Sequence, residues 1–291
     1  MSTARYRAFI AVAQHGSLSA AARALGISQP TVSSQIATME RQSQIELFHR
    51  QGYRMSLTAA GHKLLALAQK LLALEAEADF FLRDSGQLNQ GELKIGAVGP
   101  FHVIEMVAAY SARHPGMQLS IRMGNSQQVL QDLEHYSTDV AVLAGLYERP
   151  ELVVREYARH AIILFAHRDH PLARHEQIEI AALQDQPLLL REHGSTTRAA
   201  LETALRAAGV KPRTQLEIGS REAIREAVAR GLGIGAVSEA EFIPDPRFKP
   251  LRIAGEPAST TTYVYCMRER AESLLVRSFL RAIEDGGTPR P

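Results

Sequence analysis

The stretch FIAVAQHGSLSAAARALGISQPTVSSQIATMERQSQIELFHRQGYRMSLTAAG, residues 9–61, predicts three short helices followed by a β-hairpin. The first helix starts slightly before this stretch and places four apolar side chains on one face, Tyr6, Phe9, Ile10 and Ala13. Gly16 would end that helix, and Ser17 is a candidate N-cap for the alanine-rich helix that follows. Gly26 then predicts a tight turn before a third helix.

The third predicted helix covers about residues 29–41, with Ser28 as its candidate N-cap and Pro30 in its first turn. Its apolar face carries Val32, Ile36 and Met39. Its other face is polar and nearly uncharged, with Gln29, Thr31, Ser33, Ser34, Gln35 and Thr38. Such side chains form hydrogen bonds to base edges in DNA, although a solvated surface helix also presents a polar face.

The predicted hairpin follows the third helix and has the form of a wing that turns at Gln51-Gly52. Arg50 and Arg54 flank this turn, and guanidinium groups in that position suit contacts with phosphates or with the minor groove. Residues 1–54 contain six arginines and two acidic residues, whereas the whole chain has a net charge of only +2. A basic end on a mildly acidic body indicates an anionic polymer as a partner.

Other features of the sequence indicate the cellular compartment of the protein. The N-terminus lacks the features of a signal peptide, and no stretch approaches the roughly 20 apolar residues needed to span a bilayer. The single cysteine, Cys266, has no partner for an intrachain disulfide, which fits a reducing compartment. We therefore expect a cytoplasmic protein without a membrane partner.

A long helix is predicted from Thr58 to about residue 85. Its apolar residues alternate by three and four positions, namely Leu64, Leu67, Leu71, Leu74, Ala78 and Phe81. This narrow stripe favours contact between two helices over packing of the helix on its own body. Asp84-Ser85-Gly86 would break the helix, and residues 87–91 would form a polar hinge.

From residue 92 onward, short apolar runs alternate with helical patterns. Strands are expected at 93–98, 119–123, 140–144, 162–166, 188–190, 214–218 and 234–237. Helices are expected at 103–113, 127–135, 196–209 and 222–230. This alternation predicts an α/β architecture with largely parallel sheets, and the segment is long enough for two lobes.

In such sheets, ligands bind beyond the carboxyl ends of the strands, where helices begin. Several loops at these places offer hydroxyl, amide or guanidinium groups beside free backbone N–H groups. The candidate ligand-binding residues are Pro100, Phe101, His102, Asn125, Ser126, Arg191, Ser195, Thr196, Thr197, Ser220 and Arg221. Asn125, Ser195, Thr196 and Ser220 have a second interpretation as simple helix caps, and one side chain can serve both roles.

Residues 9–61 resemble the DNA-binding domain of LysR-type transcriptional regulators, without gaps across the three helices and the wing. The resemblance implies that Gln29, Pro30, Thr31 and Ser33 face bases and that Arg50 and Arg54 are wing contacts. With their neighbours, the expected DNA-binding residues are Ser28, Gln29, Pro30, Thr31, Ser33, Ser34, Gln35, Thr38, Arg50 and Arg54. Many members carry arginine where this chain has Tyr53 and Ser56, so its wing is less basic.

The order of the later elements resembles the effector-binding domain of the same family, which is like a periplasmic binding protein. The implied fold is α+β overall, with a winged helix-turn-helix at 1–58, a linker helix and hinge at 59–90, and a two-lobed α/β effector-binding domain at 91–291. The implied partners are promoter DNA, a small-molecule effector and further copies of the chain. Pairing of the long helices in an antiparallel dimer, and assembly of two dimers into a homotetramer, are also implied.

Residues 188–210 (LLLREHGSTTRAALETALRAAGV) and 216–241 (LEIGSREAIREAVARGLGIGAVSEAE) resemble the subgroup associated with 2-aminoethylphosphonate catabolism. A phosphonate would suit the hydroxyl and N–H groups of Ser195, Thr196, Thr197 and Ser220, with Arg191, Arg198 or Arg221 as counter-charge. The ligand ammonium would need an acid, and Glu192 and Glu222 are nearest in sequence. Many relatives have Ser or Thr where this chain has Gly99-Pro100, so that contact is not expected here.

Other patterns do not support catalysis. The run 231–235 (GLGIG) follows a helix and enters a strand, which is the reverse of a dinucleotide-binding turn. His160, His167, His170 and His175 lack the spacing of a metal site, and no G-x-S-x-G motif occurs. We expect no catalytic residue, metal or cofactor, and hence no enzyme. The alternatives are a solute-binding protein and an enzyme with an accessory DNA-binding domain.

Overall fold

The computed structural model describes residues 3–84, 88 and 90–286. The helices are α1 (Thr3–His15), α2 (Leu18–Leu25), α3 (Gln29–Ser43), α4 (Ala59–Asp84), α5 (Pro100–Arg113), α6 (Ser126–Glu134), α7 (Thr196–Ala207), α8 (Arg221–Ala229) and α9 (Leu274–Gly286). The strands are β1 (Phe48–Gln51), β2 (Arg54–Leu57), β3 (Gly91–Ala97), β4 (Met117–Met123), β5 (Val140–Ala144), β6 (Leu152–His167), β7 (Gln177–Ile178), β8 (Pro187–Leu190), β9 (Arg213–Glu217), β10 (Gly235–Ser238), β11 (Phe248–Ile253) and β12 (Ser259–Met267).

The N-terminal unit is a winged helix-turn-helix in which α1, α2, α3 and the β1–β2 hairpin share one core. Phe9 and Val32 are fully buried, and the rings of Phe9 and Phe48 lie 5.2 Å apart. The hairpin turns at Gly52-Tyr53, one residue later than predicted, because Gln51 pairs with Arg54. Gly52 has a φ of 60°, a left-handed conformation that glycine adopts without strain at the first position of such a turn.

Helix α4 spans 26 residues, or about 39 Å at 1.5 Å per residue. Thr58 caps it, since its hydroxyl accepts a hydrogen bond from the Gly61 amide at 3.0 Å. The residues of the predicted apolar stripe do not all have the same surroundings. Leu64 packs with Ala68 against the N-terminal core, whereas Leu67, Leu71, Leu74 and Phe81 are exposed. The predicted break after Asp84 and most of the hinge (85–87 and 89) lie outside the described residues.

The C-terminal part contains an eight-stranded mixed sheet with the order β4-β3-β5-β12-β6-β11-β7, and β10 also pairs with β6. The prediction of largely parallel sheets is wrong for its centre, where β5, β12, β6, β10 and β11 pair in antiparallel fashion. The physical reason is that β6 and β12 are long strands that cross from one lobe to the other. Only residues 162–166 of β6, and neither β11 nor α9, were expected from the sequence.

We define lobe 1 as residues 90–157 and 263–286, and lobe 2 as residues 158–262. A register shift between Thr262 and Tyr263 marks the boundary on β12. Lobe 1 has its core between β3, β5, α5 and α9, where Ile95, Tyr110 and Phe279 are buried. Lobe 2 has separate cores under α7 and α8. Within the described ranges, no helix is both long and apolar enough to cross a membrane.

Candidate DNA interface and interlobe cleft

The N-terminal end of α3 forms an exposed polar surface. The Ser28 hydroxyl accepts a hydrogen bond from the Thr31 amide at 3.2 Å and lies 2.7 Å from the Thr31 hydroxyl. Full burial of Val32 and Ile36 on the opposite side orients this surface outward. Ser28, Gln29, Pro30, Thr31 and Ser34 are exposed, whereas Ser33, Gln35 and Thr38 are half-buried.

Two of the predicted DNA-binding glutamines are already constrained within the domain. The Gln29 Oε1 atom accepts a hydrogen bond from the Ser19 hydroxyl on α2 at 3.0 Å. The Gln35 Oε1 atom is buried and has no hydrogen-bond partner among the described residues. Gln29 therefore presents its amide nitrogen outward, while the oxygen of Gln35 is turned into the protein.

The two wing arginines differ in their surroundings. Arg50 lies 3.5 Å from Glu40 of α3, and Glu40 also accepts hydrogen bonds from the Leu47 and Phe48 amides. Arg54 is exposed, and its side chain forms no ion pair or hydrogen bond within the described part of the chain. Tyr53, 97% exposed, occupies the tip of the wing. Arg54 is thus free for a phosphate, whereas Arg50 would have to leave Glu40.

A cavity of about 770 Å³ lies between the lobes, and the N-termini of α6 and α7 open onto it. Their caps are Asn125, which accepts from the Gln128 amide at 2.9 Å, and Ser195, which accepts from the Arg198 amide at 3.4 Å. The predicted residues that line this cleft are Asn125, Ser126, Arg191, Ser195, Thr196 and Arg221. Backbone N–H groups at helix N-termini attract anions, so the cleft has one element of an anion site.

The other predicted effector residues lie elsewhere. Pro100, Phe101, Thr197 and Ser220 line a second, mainly apolar cavity of about 370 Å³ under α8, which shares Arg191 and Arg221 with the cleft. Thr197 is buried with 7% exposure because it lies on the inner face of α7.

His102 lines neither of these two cavities. Its ring stacks on that of His160 with 5.2 Å between centroids. Burial first, and the nearby His160 second, lower the pKa of His102. His102 therefore belongs to the packing between α5 and β6.

Charges of both signs line the cleft. The Arg191 guanidinium donates two hydrogen bonds to Glu192, at 2.7 and 2.8 Å, and Arg149 pairs with Glu134. Arg221 pairs with Glu241 at 3.0 Å. Burial is the largest single effect and raises the pKa of Glu192. The hydrogen bonds from Arg191 and from its own backbone amide, with the charges of Arg191 and Arg221, together outweigh burial, so this pKa lies below its usual value.

Two charged residues expected at the ligand are engaged elsewhere. Arg198 donates hydrogen bonds at 2.7 Å to both Glu202 and Glu217 and is absent from the cleft lining. Glu222 accepts a hydrogen bond from the Ser220 hydroxyl at 2.7 Å and borders the apolar cavity instead. Both had been placed near the ligand because of their closeness in sequence to Ser195 and Ser220.

The sequence interpretation missed Arg149, Glu134 and Tyr147, which also line the cleft. Tyr147 and Arg149 lie in the loop after β5, at the carboxyl end of a strand that pairs in parallel with β3. The rule used for the other loops would therefore have found them. Glu134 had no such signal because it lies at the far end of α6 and enters the cleft through its contact with Arg149.

Other reactive side chains do not form a site. Among the described residues, no three His, Cys, Asp or Glu side chains cluster as metal ligands would. Cys266 is buried in β12, and burial raises the pKa of its thiol to about 11. A thiol in this state is a poor nucleophile at neutral pH.

Two family models match the chain. Residues 3–62 match "Bacterial regulatory helix-turn-helix protein, lysR family", and residues 86–287 match "LysR substrate binding domain". Together they include the N-terminal unit and both lobes. A match of the second model to more than two thirds of the chain is sufficient to establish the family.

Known proteins agree with this match. The HTH-type transcriptional activator CmpR of Synechocystis sp. is 28% identical over 95% of this chain and 92% of its own length. A full-length variant of OxyR from Pseudomonas aeruginosa has the same fold, with a TM-score of 0.77, 21% identity and coverage of 100% of this chain and 99% of its own. The regulatory domain of Synechocystis PCC6803 CcmR in complex with 2-PG matches with a TM-score of 0.63 and 26% identity, over 69% of this chain and all of its own.

Proposed function

Because the chain belongs to the LysR family of transcriptional regulators, which have an effector-binding domain, we propose that its interlobe cleft binds a small zwitterionic phosphonate, 2-aminoethylphosphonate. The observation that carries this proposal is the convergence of helix N-termini and paired Arg and Glu side chains in one cleft. Binding would change how the protein holds promoter DNA. The chain is a regulator and not an enzyme, in agreement with relatives that are named as regulators.

The phosphonate oxygens accept hydrogen bonds from the first-turn N–H groups of α6 and α7 and from the Ser195 and Thr196 hydroxyls. Arg191 and Arg221, both in lobe 2, line the same cleft and supply positive charge. The ligand ammonium binds Glu192 or Glu134, which are the carboxylates that line the cavity. Charge-assisted hydrogen bonds of this kind are stronger than neutral ones.

The paired state of the arginines favours a zwitterion over a plain anion. Each of Arg149, Arg191 and Arg221 already has a carboxylate partner. A plain dianion would have to separate one of these pairs and leave a carboxylate uncompensated. A zwitterion offers a phosphonate to the arginine and an ammonium to the displaced carboxylate. The regulatory domain of CcmR, which has the same fold, was solved in complex with 2-PG, and this supports ligand binding by the corresponding domain here.

Isothermal titration of the full chain with 2-aminoethylphosphonate tests the proposal. Ethylphosphonate and ethylamine are the matched controls because each carries one of the two charges. We expect micromolar binding of the zwitterion and at least about tenfold weaker binding of each control, equivalent to about 1.4 kcal/mol. Because the enthalpy of binding changes with temperature, it is not close to zero at two well-separated temperatures. Absence of heat at both temperatures would therefore exclude this effector.

A variant locates the site. Ser195→Ala combined with Thr196→Ala removes two hydroxyls from the cleft, whereas Thr203→Ala on the same helix removes a hydroxyl that bonds only the Ala199 carbonyl within the described residues. We expect about a tenfold loss of affinity for the double variant and no change for the control. Equal affinity for all three proteins would place the ligand outside this cleft.

For DNA, we propose that the N-terminal end of α3 enters the major groove, with Ser28, Gln29, Pro30, Thr31, Ser33, Ser34 and Thr38 toward the bases. Gln35 contributes its amide nitrogen, and Arg54 contacts a phosphate, with Arg50 beside it. The segments 1–58, 59–90 and 91–291 act as the reader, linker and sensor. The exposed stripe on α4 joins two copies of the chain, which sets the spacing of two recognition helices.

A further inference from the structure

A group of polar and charged side chains that do not line the cleft joins α4 to lobe 1. We call this group the docking cluster: Lys70, Glu77, Tyr136, Asp139, Glu269 and Arg270. Lys70 of α4 lies 2.7 Å from Glu269, whose carboxylate also accepts a hydrogen bond from the Tyr136 hydroxyl. These two contacts, Lys70 first, lower the pKa of Glu269, so its carboxylate is charged at neutral pH.

Arg270 is the centre of the docking cluster and is only 4% exposed. Its Nη1 atom lies 2.5 Å from Asp139, whose other oxygen accepts the Lys94 amide at 2.7 Å. Its Nε atom lies 3.6 Å from Glu77 of α4. Both Arg270 Nε and Glu77 Oε2 are buried without a hydrogen bond among the described residues. This contact is therefore slightly too long, and a shift of a few tenths of an ångström would convert it into a hydrogen bond.

An apolar contact adds to the ionic ones. The ring of Phe80 on α4 packs onto the backbone of Gly91 at the start of β3, where a Cβ would lie 2.5 Å from the ring. Phe80 also packs against the lobe 1 core. Helix α4 is thus docked on lobe 1 by a fixed apolar contact and by a longer, adjustable ion pair.

Two elements of lobe 1 connect the docking cluster to the cleft. Helix α6 is about 13 Å long. Its cap Asn125 and its last residue Glu134 both line the cleft, and the turn that follows Glu134 contains Tyr136. Strand β5 follows Asp139 and leads to Gly145, where a Cβ would lie 3.5 Å from Thr196 of lobe 2. Any ligand that moves α7 against α6 therefore acts on two rigid elements whose other ends meet the docking cluster.

We propose that the docking cluster transmits the state of the cleft to the linker helix, with α6 and β5 as the connecting elements. In one arrangement the Glu77–Arg270 contact is loose, as it is here, and in the other it is hydrogen-bonded. The two arrangements set the position of α4 and thereby the spacing of the recognition helices in an assembly. The ligand part of this inference rests on the proposed function, whereas the connection between cluster and cleft does not.

The test compares the Lys70→Gln, Glu77→Gln double variant with Glu75→Gln. Glu75 lies on the same helix, but its ion pair, at 3.0 Å, is with Arg7 in the N-terminal unit. Hydrogen exchange is measured in the full chain without ligand. We expect amides 127–131, in the part of α6 that borders the cleft, to exchange at least about threefold faster in the double variant and at the wild-type rate in Glu75→Gln.

A coupling measurement separates transmission from local loosening. The affinity for 2-aminoethylphosphonate is measured with and without a DNA fragment selected from a random library for binding to this protein. The ratio of the two affinities is a coupling factor, and by linkage it is the same in either direction. We expect this ratio to fall toward 1 in the double variant and to be unchanged in Glu75→Gln.

The outcomes distinguish this inference from the proposed function. If 2-aminoethylphosphonate does not bind wild-type protein, the effector is wrong, and the exchange experiment alone decides on the docking cluster. If amides 127–131 exchange at the wild-type rate in the double variant, the docking cluster is not connected to the cleft. Faster exchange with an unchanged coupling ratio would reduce the cluster to a structural contact.

Discussion

Arg50 and Arg54 lie four residues apart on the wing and have different surroundings. Arg50 is held by Glu40, which also caps the Leu47 and Phe48 amides, so its charge is partly used inside the domain. Arg54 is exposed, makes no such contact within the described residues, and is available to a partner. A similar division separates Thr196, which reaches the cleft, from Thr197, which is buried one position later on the same helix.

Replacement of Arg54 by alanine should therefore act on DNA affinity through salt. We expect Arg54→Ala to reduce the slope of log affinity against log salt by about 1, since one phosphate contact is lost. Arg230→Ala in lobe 2 is the control. Fluorescence anisotropy at four salt concentrations measures both slopes, and equal slopes for Arg54→Ala and wild type would remove Arg54 from the interface.

At the same scale, Cys266 should be inert in the folded protein. It is 1% exposed, and burial raises the pKa of its thiol to about 11. We expect a thiol reagent at pH 8 to react at least about a hundredfold more slowly with native than with denatured protein. Fast reaction of the native protein would mean that β12 opens readily.

Helix α4 has three different surroundings along its length. Its first turns pack on the N-terminal core, its later turns contact lobe 1, and its stripe of Leu67, Leu71, Leu74 and Phe81 is exposed. An exposed apolar stripe of this length on a helix is expected to be covered in an assembly. The helix therefore connects the N-terminal unit to lobe 1 and presents a third, exposed face that we propose is covered by a second copy of the chain.

The stripe gives a prediction about assembly. Leu71→Glu combined with Leu74→Glu introduces charge into the proposed helix pair. We expect the dissociation constant of the dimer that this pair forms to rise at least about a hundredfold. Ala66→Glu, at an exposed position of the same helix outside the stripe, is the control. Sedimentation equilibrium decides, and an unchanged assembly state of the double variant would rule out this stripe as the interface.

Gly61 gives a prediction in which two physical effects have opposite signs. Helix propensity alone predicts that Gly61→Ala stabilises α4 by about 1 kcal/mol. A Cβ at this position would, however, overlap the carbonyl oxygen of Leu47. We expect packing to dominate and the free energy of unfolding to fall by about 1–3 kcal/mol. Chemical denaturation measures the sign, and a gain in stability would show that this backbone contact adjusts easily.

At the scale of the whole molecule, the N-terminal unit and the two lobes have separate apolar cores. Strands β6 and β12 connect the lobes, and the docking cluster connects lobe 1 to α4. We therefore expect any ligand-induced movement of the lobes to be a movement of rigid bodies about these two strands. In the mechanism that we propose, lobe 1 then acts on α4 through the docking cluster, whose residues do not line the cleft.

Separate cores predict separate thermal responses. With 2-aminoethylphosphonate at 100 times its Kd, the unit that contains the lobes should gain about 2.7 kcal/mol of stability. The N-terminal unit should gain only the part of this stabilisation that is transmitted through the docking cluster. Differential scanning calorimetry resolves the two transitions, with ethylphosphonate as control. A gain confined to the N-terminal transition would contradict binding in the cleft.

The N-terminal unit could be predicted almost completely from the sequence because its determinants are local. Helix periodicity, the caps Ser17 and Ser28 and the turn glycine act within a few residues. The structure departs from the prediction by one position at the wing turn and by two residues at the end of the third helix. The alternation of strands and helices in the lobes was also readable, as were the caps Asn125 and Ser195 that line the cleft.

Tertiary structure alone decided what depends on residues far apart in the chain. The antiparallel pairing of β6 with β12 joins positions about a hundred residues apart, and the sequence of neither strand indicates which strand it pairs with. The same holds for Arg221 with Glu241, Arg149 with Glu134 and Arg270 with Glu77. Local patterns specify which faces are buried and where helices begin. Which charges meet depends on how the elements pack within each lobe and against α4, because a charged side chain can pair with any opposite charge that the fold brings near.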